Sequence, residues 1–216
     1  MSFQGAIEVQ CPSGCEAFTA EVWSYIRGDD DSALRMAVLA RECNLLLCSQ
    51  CGIPFFPEAS YVYAEPKFEL LAFVFPESYR EREGYWREKM AEDFRAMRSA
   101  LGEKMPIDLV PDVFFGPEGL AELLEREDLR GAEQAVLEHY ARDLGLELYR
   151  VGSRWTRERG LPRAWPYAGA RPTRDALIVG LEKALAANDR LSACARALEA
   201  LRAPGATVPP SAARVS

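Results

Sequence analysis

Histidine is nearly missing from this chain, which has a single one, His139, in 216 residues. No apolar run approaches the roughly 20 residues that a membrane helix needs, so no membrane association is expected. Met1 to Gln10 has no basic start and no apolar core of signal-peptide length, so export is not expected and the chain is read as cytoplasmic. There is no Gly-rich phosphate loop, no H-E-x-x-H and no nucleophile elbow. His139 could act as a general base, but no nucleophile-bearing motif accompanies it. Six cysteines are too few for a disulfide scaffold of this length.

What is present is a soluble composition, 49% hydrophobic, with a net charge of -7. Net acidity makes nucleic acid and anionic membranes poor partners. The charge is uneven, however. Between Arg150 and Arg174 seven arginines face the single acid Glu158, a local +6 that leaves -13 for the remainder. Tyr149, Trp155, Trp165 and Tyr167 interleave with these arginines. Positive charge with stacking rings is the composition of single-strand nucleic-acid binders, so segment 149–174 is one candidate surface. The competing reading is a solvated loop lying against the acidic remainder of the molecule.

Alternation marks Ala17 to Ile26 as a strand, after a shorter one at Ala6 to Gln10. A helix carrying Leu34, Val38 and Leu39 follows, with Asp30 or Asp31 as its cap and Asn44 as its stop. Leu45 to Leu47 reads as a short strand. Ser60 to Ala64 and Phe68 to Phe75 read as strands joined by a turn at Glu65-Pro66-Lys67. From Glu77 the period becomes helical, with Trp86, Met90, Phe94, Met97 and Leu101 as a stripe read as core. Ile107 to Phe115 is expected to be extended. Helices are expected over Glu118 to Glu127 and Ala132 to Leu144, then a strand over Leu146 to Val151. Gly152 to Pro172, rich in Gly and Pro, reads as a linker or long loop. Thr173 to Ala203 reads as helical, split near Asn188-Asp189, and Pro204 to Ser216 as a disordered tail.

The fold class expected is therefore α+β. It comprises a small, mostly antiparallel zinc-ribbon-like unit with an inserted helix, a mainly helical region and a C-terminal helical hairpin. The corresponding divisions are 1–151, 152–172, 173–203 and 204–216.

Five of the six cysteines lie within the first 51 residues. Cys11 and Cys15 are spaced C-x3-C, Cys48 and Cys51 are spaced C-x2-C, and thirty-two residues separate the pairs. Tetrahedral zinc takes four soft or borderline ligands at about 2.1 to 2.3 Å. Two tight turns, each donating two thiolates, supply that set, and Ser13, Gly14 and Gly52 are small enough to let backbone amides approach the sulfurs. Cys11, Cys15, Cys48 and Cys51 are thus the candidate ligands of a Zn2+ ion. The alternatives are plain packing or a redox pair. A redox C-x2-C sits at the start of a helix, whereas Cys48 follows Leu45-Leu46-Leu47 and precedes Gly52-Ile53-Pro54. Cys43 and Cys194 are read as buried. A closed shell of four thiolates leaves no place for water and weakens the metal as a Lewis acid, so the site is read as structural.

Cys11-Pro12 with Cys15, Phe18, Glu21-Val22-Trp23-Ser24, Ile26, Asp30, Leu34, Asn44, Cys48, Cys51-Gly52, Tyr63, Pro66 and Val74-Phe75-Pro76-Glu77 resemble the CpXC-domain family. Phe115-Gly116 and Leu120 resemble its longer members, so the likeness covers about Cys11 to Leu146. The resemblance implies a bacterial protein with zinc binding and no established activity. The first pair departs from the family pattern by one extra residue, Ser13-Gly14 standing where the family has one position. Three functions follow as expectations: a non-catalytic zinc-stabilised module with a protein partner, a single-strand nucleic-acid binder acting through 149–174, and an enzyme with an unrecognised carboxylate site.

Overall fold

The computed structural model describes residues 1–101 and 110–212. The chain forms two compact units, Met1–Leu124 and Glu125–Ser216.

The first unit is built on a five-stranded sheet. Its strands are β1 (Phe3–Val9), β2 (Phe18–Arg27), β5 (Tyr61–Glu65), β6 (Leu70–Phe75) and β7 (Asp112–Phe115), in that spatial order. β1 pairs antiparallel with β2 and β5 with β6, whereas β2–β5 and β6–β7 are parallel. The α+β class holds, but the sheet is mixed, because two of its four pairings are parallel. A parallel neighbour requires a crossover. The β2–β5 crossover carries α1 (Ser32–Leu39) and a small antiparallel hairpin of β3 (Leu46–Leu47) and β4 (Pro54–Phe55).

Both faces of the sheet are covered, which is why β6 reads Leu-Leu-Ala-Phe-Val-Phe without alternation. On one face Ile26, Tyr63, Leu70, Ala72 and Val74 pack with Val38 of α1 and with Leu120, Leu123 and Leu124. On the other, Ala64 and Leu71 pack with Met90 and Phe94 of α2 (Glu83–Leu101). The expected stripe is therefore core at Met90 and Phe94. Trp86 instead stacks on Tyr79 at 4.1 Å, and Met97 is exposed. The turn at Glu65–Lys67 is tightened into a 3₁₀ turn over Pro66–Phe68. Of the stretch expected to be extended, 107–109 lies outside the described residues.

Asp31 caps α1 by accepting from the Leu34 amide at 3.1 Å. Glu65 is almost fully buried, and its Oε1 accepts from Arg35 Nε at 2.6 Å and from Tyr63 Oη at 2.5 Å. Charge-assisted bonds of this kind offset the cost of burying a carboxylate.

The unit boundary falls inside α3 (Glu118–Asp143), a single 26-residue helix. Two shorter helices were expected. A glycine within a helix costs only about 1 kcal/mol, so Gly131 does not break it.

The second unit contains the rest of α3, an antiparallel hairpin of β8 (Glu147–Arg150) and β9 (Ala164–Tyr167), α4 (Ser153–Arg159), and the hairpin of α5 (Arg174–Ala187) and α6 (Ser192–Arg202). Leu137, Val151, Leu161, Trp165, Leu177, Leu181, Cys194, Ala197 and Leu201 form its core.

Two expectations are corrected here. Segment 152–172 is folded, because Trp165 is only 1% exposed and its indole donates to the Pro162 carbonyl at 2.7 Å. The chain after Pro204 is anchored as far as Ala212. Tyr149 Oη donates to the Pro209 carbonyl at 2.7 Å, the Gly152 amide to Pro210 at 3.0 Å, and the Ala212 amide to Arg150 at 3.0 Å. Residues 213–216 lie outside the described residues.

Candidate metal centre

The first knuckle lies between β1 and β2. The Gly14 amide donates to the Cys11 carbonyl at 2.9 Å, and the Ser13 amide points at Cys11 Sγ at 3.4 Å. The second knuckle joins β3 to β4. The Gly52 amide donates to the Cys48 carbonyl at 2.8 Å, and the Cys48 amide donates to the Ile53 carbonyl at 3.0 Å. Gly14 and Gly52 both sit in the left-handed region, at φ 78° and 73°. A side chain at either position would meet open space, so the demand for glycine is conformational rather than steric.

A third residue sets one knuckle against the other. Asn44 adopts φ 61°. Its Oδ1 accepts from the Trp23 amide at 2.7 Å, and its Nδ2 donates to the Trp23 carbonyl at 2.9 Å. The side-chain amide thus pairs with the β2 backbone much as a neighbouring strand would. It ties the chain just before Cys48 to the strand that leaves the first knuckle. The sequence marks Asn44 as a helix stop and as one of the residues of the family resemblance, without pointing to this contact. Its tolerance of the left-handed region was the available signal, but its partner Trp23 is non-local.

All four predicted residues come together: Cys11, Cys15, Cys48 and Cys51 place their sulfurs within 4.8 Å of one another. Cys11 and Cys51 are 3.6 Å apart. Cys11 and Cys48 are buried, Cys15 is half-buried and Cys51 is exposed. Backbone amides of Cys51 and Gln50 pull the Cys48 thiol down to about 6. Cys15 is pushed up to about 12, first by its contact with Cys51 and then by burial. Such sulfurs share protons among themselves and can exchange them for a cation. The four could therefore hold one metal ion.

The remaining candidates are placed elsewhere. Cys43 and Cys194 are buried in separate cores, and burial pushes each thiol up to about 12. His139 is exposed on α3, 3.4 Å from Asp143. In the arginine-rich segment, Arg163 Nη2 donates at 2.8 Å to both the carbonyl and Oε2 of Glu127, a side chain 1% exposed. Arg130 and Arg157 approach the same carboxylate at 3.7 and 4.0 Å. Arg159 lies over Trp155, 4.5 Å from the ring centroid, and Trp165 is inside the core. Several arginines and rings proposed for nucleic-acid binding are thus engaged within the unit. Among the described residues the buried carboxylates are Glu65 and Glu127, and both are held in ion pairs.

A hairpin face went unread in the sequence. Leu46 pairs with Phe55 and Leu47 with Pro54. Phe55 meets Phe18 edge-on, 6.3 Å between centroids. Leu45, Leu47 and Phe56 are exposed, Leu47 at 69%.

Taken together, these features define an α+β protein whose N-terminal sheet unit presents a four-cysteine cluster suited to a metal ion. The sequence matches the family model described as CpXC protein over residues 9–128, and the chain belongs to that family. The match ends earlier than the resemblance to Leu146 read from the sequence. It covers nearly all of the first unit and the start of the second. No curated protein and no solved structure matches the chain. Among the described residues no helix is long and apolar enough to cross a membrane.

Proposed function

We propose that the chain is a non-catalytic module in which Cys11, Cys15, Cys48 and Cys51 hold one structural zinc ion, and that it serves to bind a protein partner. The convergence of four sulfurs from two distant turns carries this reading. Soft sulfur donors in a set of four suit zinc, and a complete thiolate shell suits a structural role better than a catalytic one. In the cytoplasm, where we place the chain, thiols stay reduced and available to a metal. Elemental analysis of the purified full chain should return one zinc per molecule, and chelation should lower its melting temperature. A metal-free chain that keeps its native circular dichroism and melting temperature sinks the reading.

The partner is a protein because the second knuckle presents the apolar face of Leu45, Leu47 and Phe56. Exposed apolar surface of this kind is a contact surface when it is contiguous. Glu42 and Glu58 lie just before and after this stretch and are exposed, which favours a partner with basic residues around an apolar centre. A photo-crosslinker placed at position 47 in the metal-loaded chain should trap one protein in stoichiometric yield, and one placed at Tyr85 on α2 should not. Equal trapping at both positions refutes a dedicated face.

A further inference from the structure

The four residues of the cluster are unequally exposed: Cys51 is exposed, Cys15 is half-buried, and Cys11 and Cys48 are buried. Cys48 is buried, and the backbone amides of Cys51 and Gln50 point at its sulfur. Cys51 Sγ lies 3.6 Å from Cys11 Sγ, on the other knuckle. A disulfide needs about 2.05 Å, so these two sulfurs need to close by only roughly 1.5 Å. The Cys51 sulfur also contacts Cys48 and Cys15, but its 3.6 Å approach to Cys11 spans the two turns, forty residues apart in sequence.

We propose that the cluster is a peroxide-responsive clip, in which hydrogen peroxide oxidises Cys51 and Cys11 resolves it, so that a Cys11–Cys51 disulfide replaces the bound ion. The proposal rests on the metal reading above. The Cys51 thiolate attacks one peroxide oxygen. An S–O bond forms, the O–O bond breaks, and the other oxygen leaves as hydroxide. The Cys11 thiolate then attacks the Cys51 sulfenic sulfur; the S–S bond forms and the S–O bond breaks, releasing a second hydroxide. Two thiolates lose two electrons in total, and one peroxide becomes two hydroxides, which two protons convert to water. With two of its four ligands gone, the ion is held by Cys15 and Cys48 alone and dissociates. A thiol reductant reverses the change.

The sequence makes the sulfur pairing easy to read. Trypsin leaves Cys11 and Cys15 in Met1–Arg27, and Cys43, Cys48 and Cys51 in Glu42–Lys67. The full chain is first assayed for metal and then treated with about ten molar equivalents of hydrogen peroxide. Released zinc is read with a chromogenic chelator, and the unreduced digest is mapped by mass spectrometry. The expected result is zinc release in step with the loss of two thiols, and a crosslink between the two peptides that fragmentation places at Cys11 and Cys51. Cys51→Ser should slow release roughly tenfold or more, while Cys43→Ser should leave it unchanged.

A Cys48–Cys51 bond inside the second peptide overturns the proposal. So does a crosslink through Cys15, or release from Cys51→Ser as fast as from the parent chain. If Cys51→Ser fails to take up zinc, the map of the parent chain still decides. The metal assay made before peroxide separates the two claims: its failure refutes the structural-zinc reading, whereas the sulfur map judges the pairing with or without the ion.

Discussion

Replacing Asn44 with alanine tests how the two knuckles are held in register. The side chain makes two hydrogen bonds to the Trp23 backbone, at 2.7 and 2.9 Å. Each contributes about 1 kcal/mol net. Alanine must also hold φ 61°, where it lacks the local polar side chain that makes asparagine tolerant; this adds about 1 kcal/mol. Asn44→Ala should therefore destabilise the first unit by about 3 kcal/mol. Asn44→Gly loses the same bonds but relieves the backbone, so it should cost about 2 kcal/mol. Urea titration of the zinc-loaded chain, followed by Trp fluorescence, measures both. If the clamp forms only when the knuckles are joined, the same free energy appears as weaker metal binding, up to about a hundredfold for alanine. A chelator competition reads that number. A loss under about 0.5 kcal/mol for alanine, or glycine costing more than alanine, would refute the role assigned to Asn44.

Three further outcomes follow from the structure. Glu127→Gln removes a carboxylate that Arg163, Arg130 and Arg157 all approach, and should destabilise the second unit by roughly 3 to 5 kcal/mol in thermal or urea unfolding, more than an exposed substitution such as Glu158→Gln. Gly52→Ala, at φ 73° with open space around it, should cost about 1 to 2 kcal/mol through backbone strain alone, and should weaken metal uptake without altering the far-UV spectrum of the loaded chain. Cys43 is a pH marker. Burial raises its folded-state pKa from 9.0 to about 12, so its contribution is complete below pH 9 and is lost as pH rises towards 12, when the unfolded chain ionises first. Urea midpoints measured from pH 8 to 11 should fall more steeply for the parent chain than for Cys43→Ala.

The parts of this molecule legible in the sequence are those decided within a few residues. The cysteine pairs announce themselves by spacing, and the structure brings their sulfurs together. The β2 strand, the α1 helix with its Asp31 cap, and the split of the last helices near Asn188 follow from period and capping. What escaped depends on distant partners. Nothing local says that β2 lies beside β5, or that Tyr149 will reach Pro209. In 152–172 the Gly and Pro residues were read as loop because they are frequent. Several of them in fact bound elements, and Pro166 lies within β9: Gly160 closes α4, and Pro162 offers its carbonyl to Trp165. The arginines there looked like a surface, yet Arg163 is turned inward by a glutamate 36 positions earlier.

The parallel pairing of β2 with β5 has a consequence for how the chain assembles. A strand that re-enters beside its predecessor in the same direction must first travel back along the sheet, and closing so long a loop is slow. Here the returning chain contains one cysteine pair, and the other stands directly ahead of β2. A cation grasped early by both pairs would shorten the span left to search, acting as a pin that sets the direction of return before the strands meet.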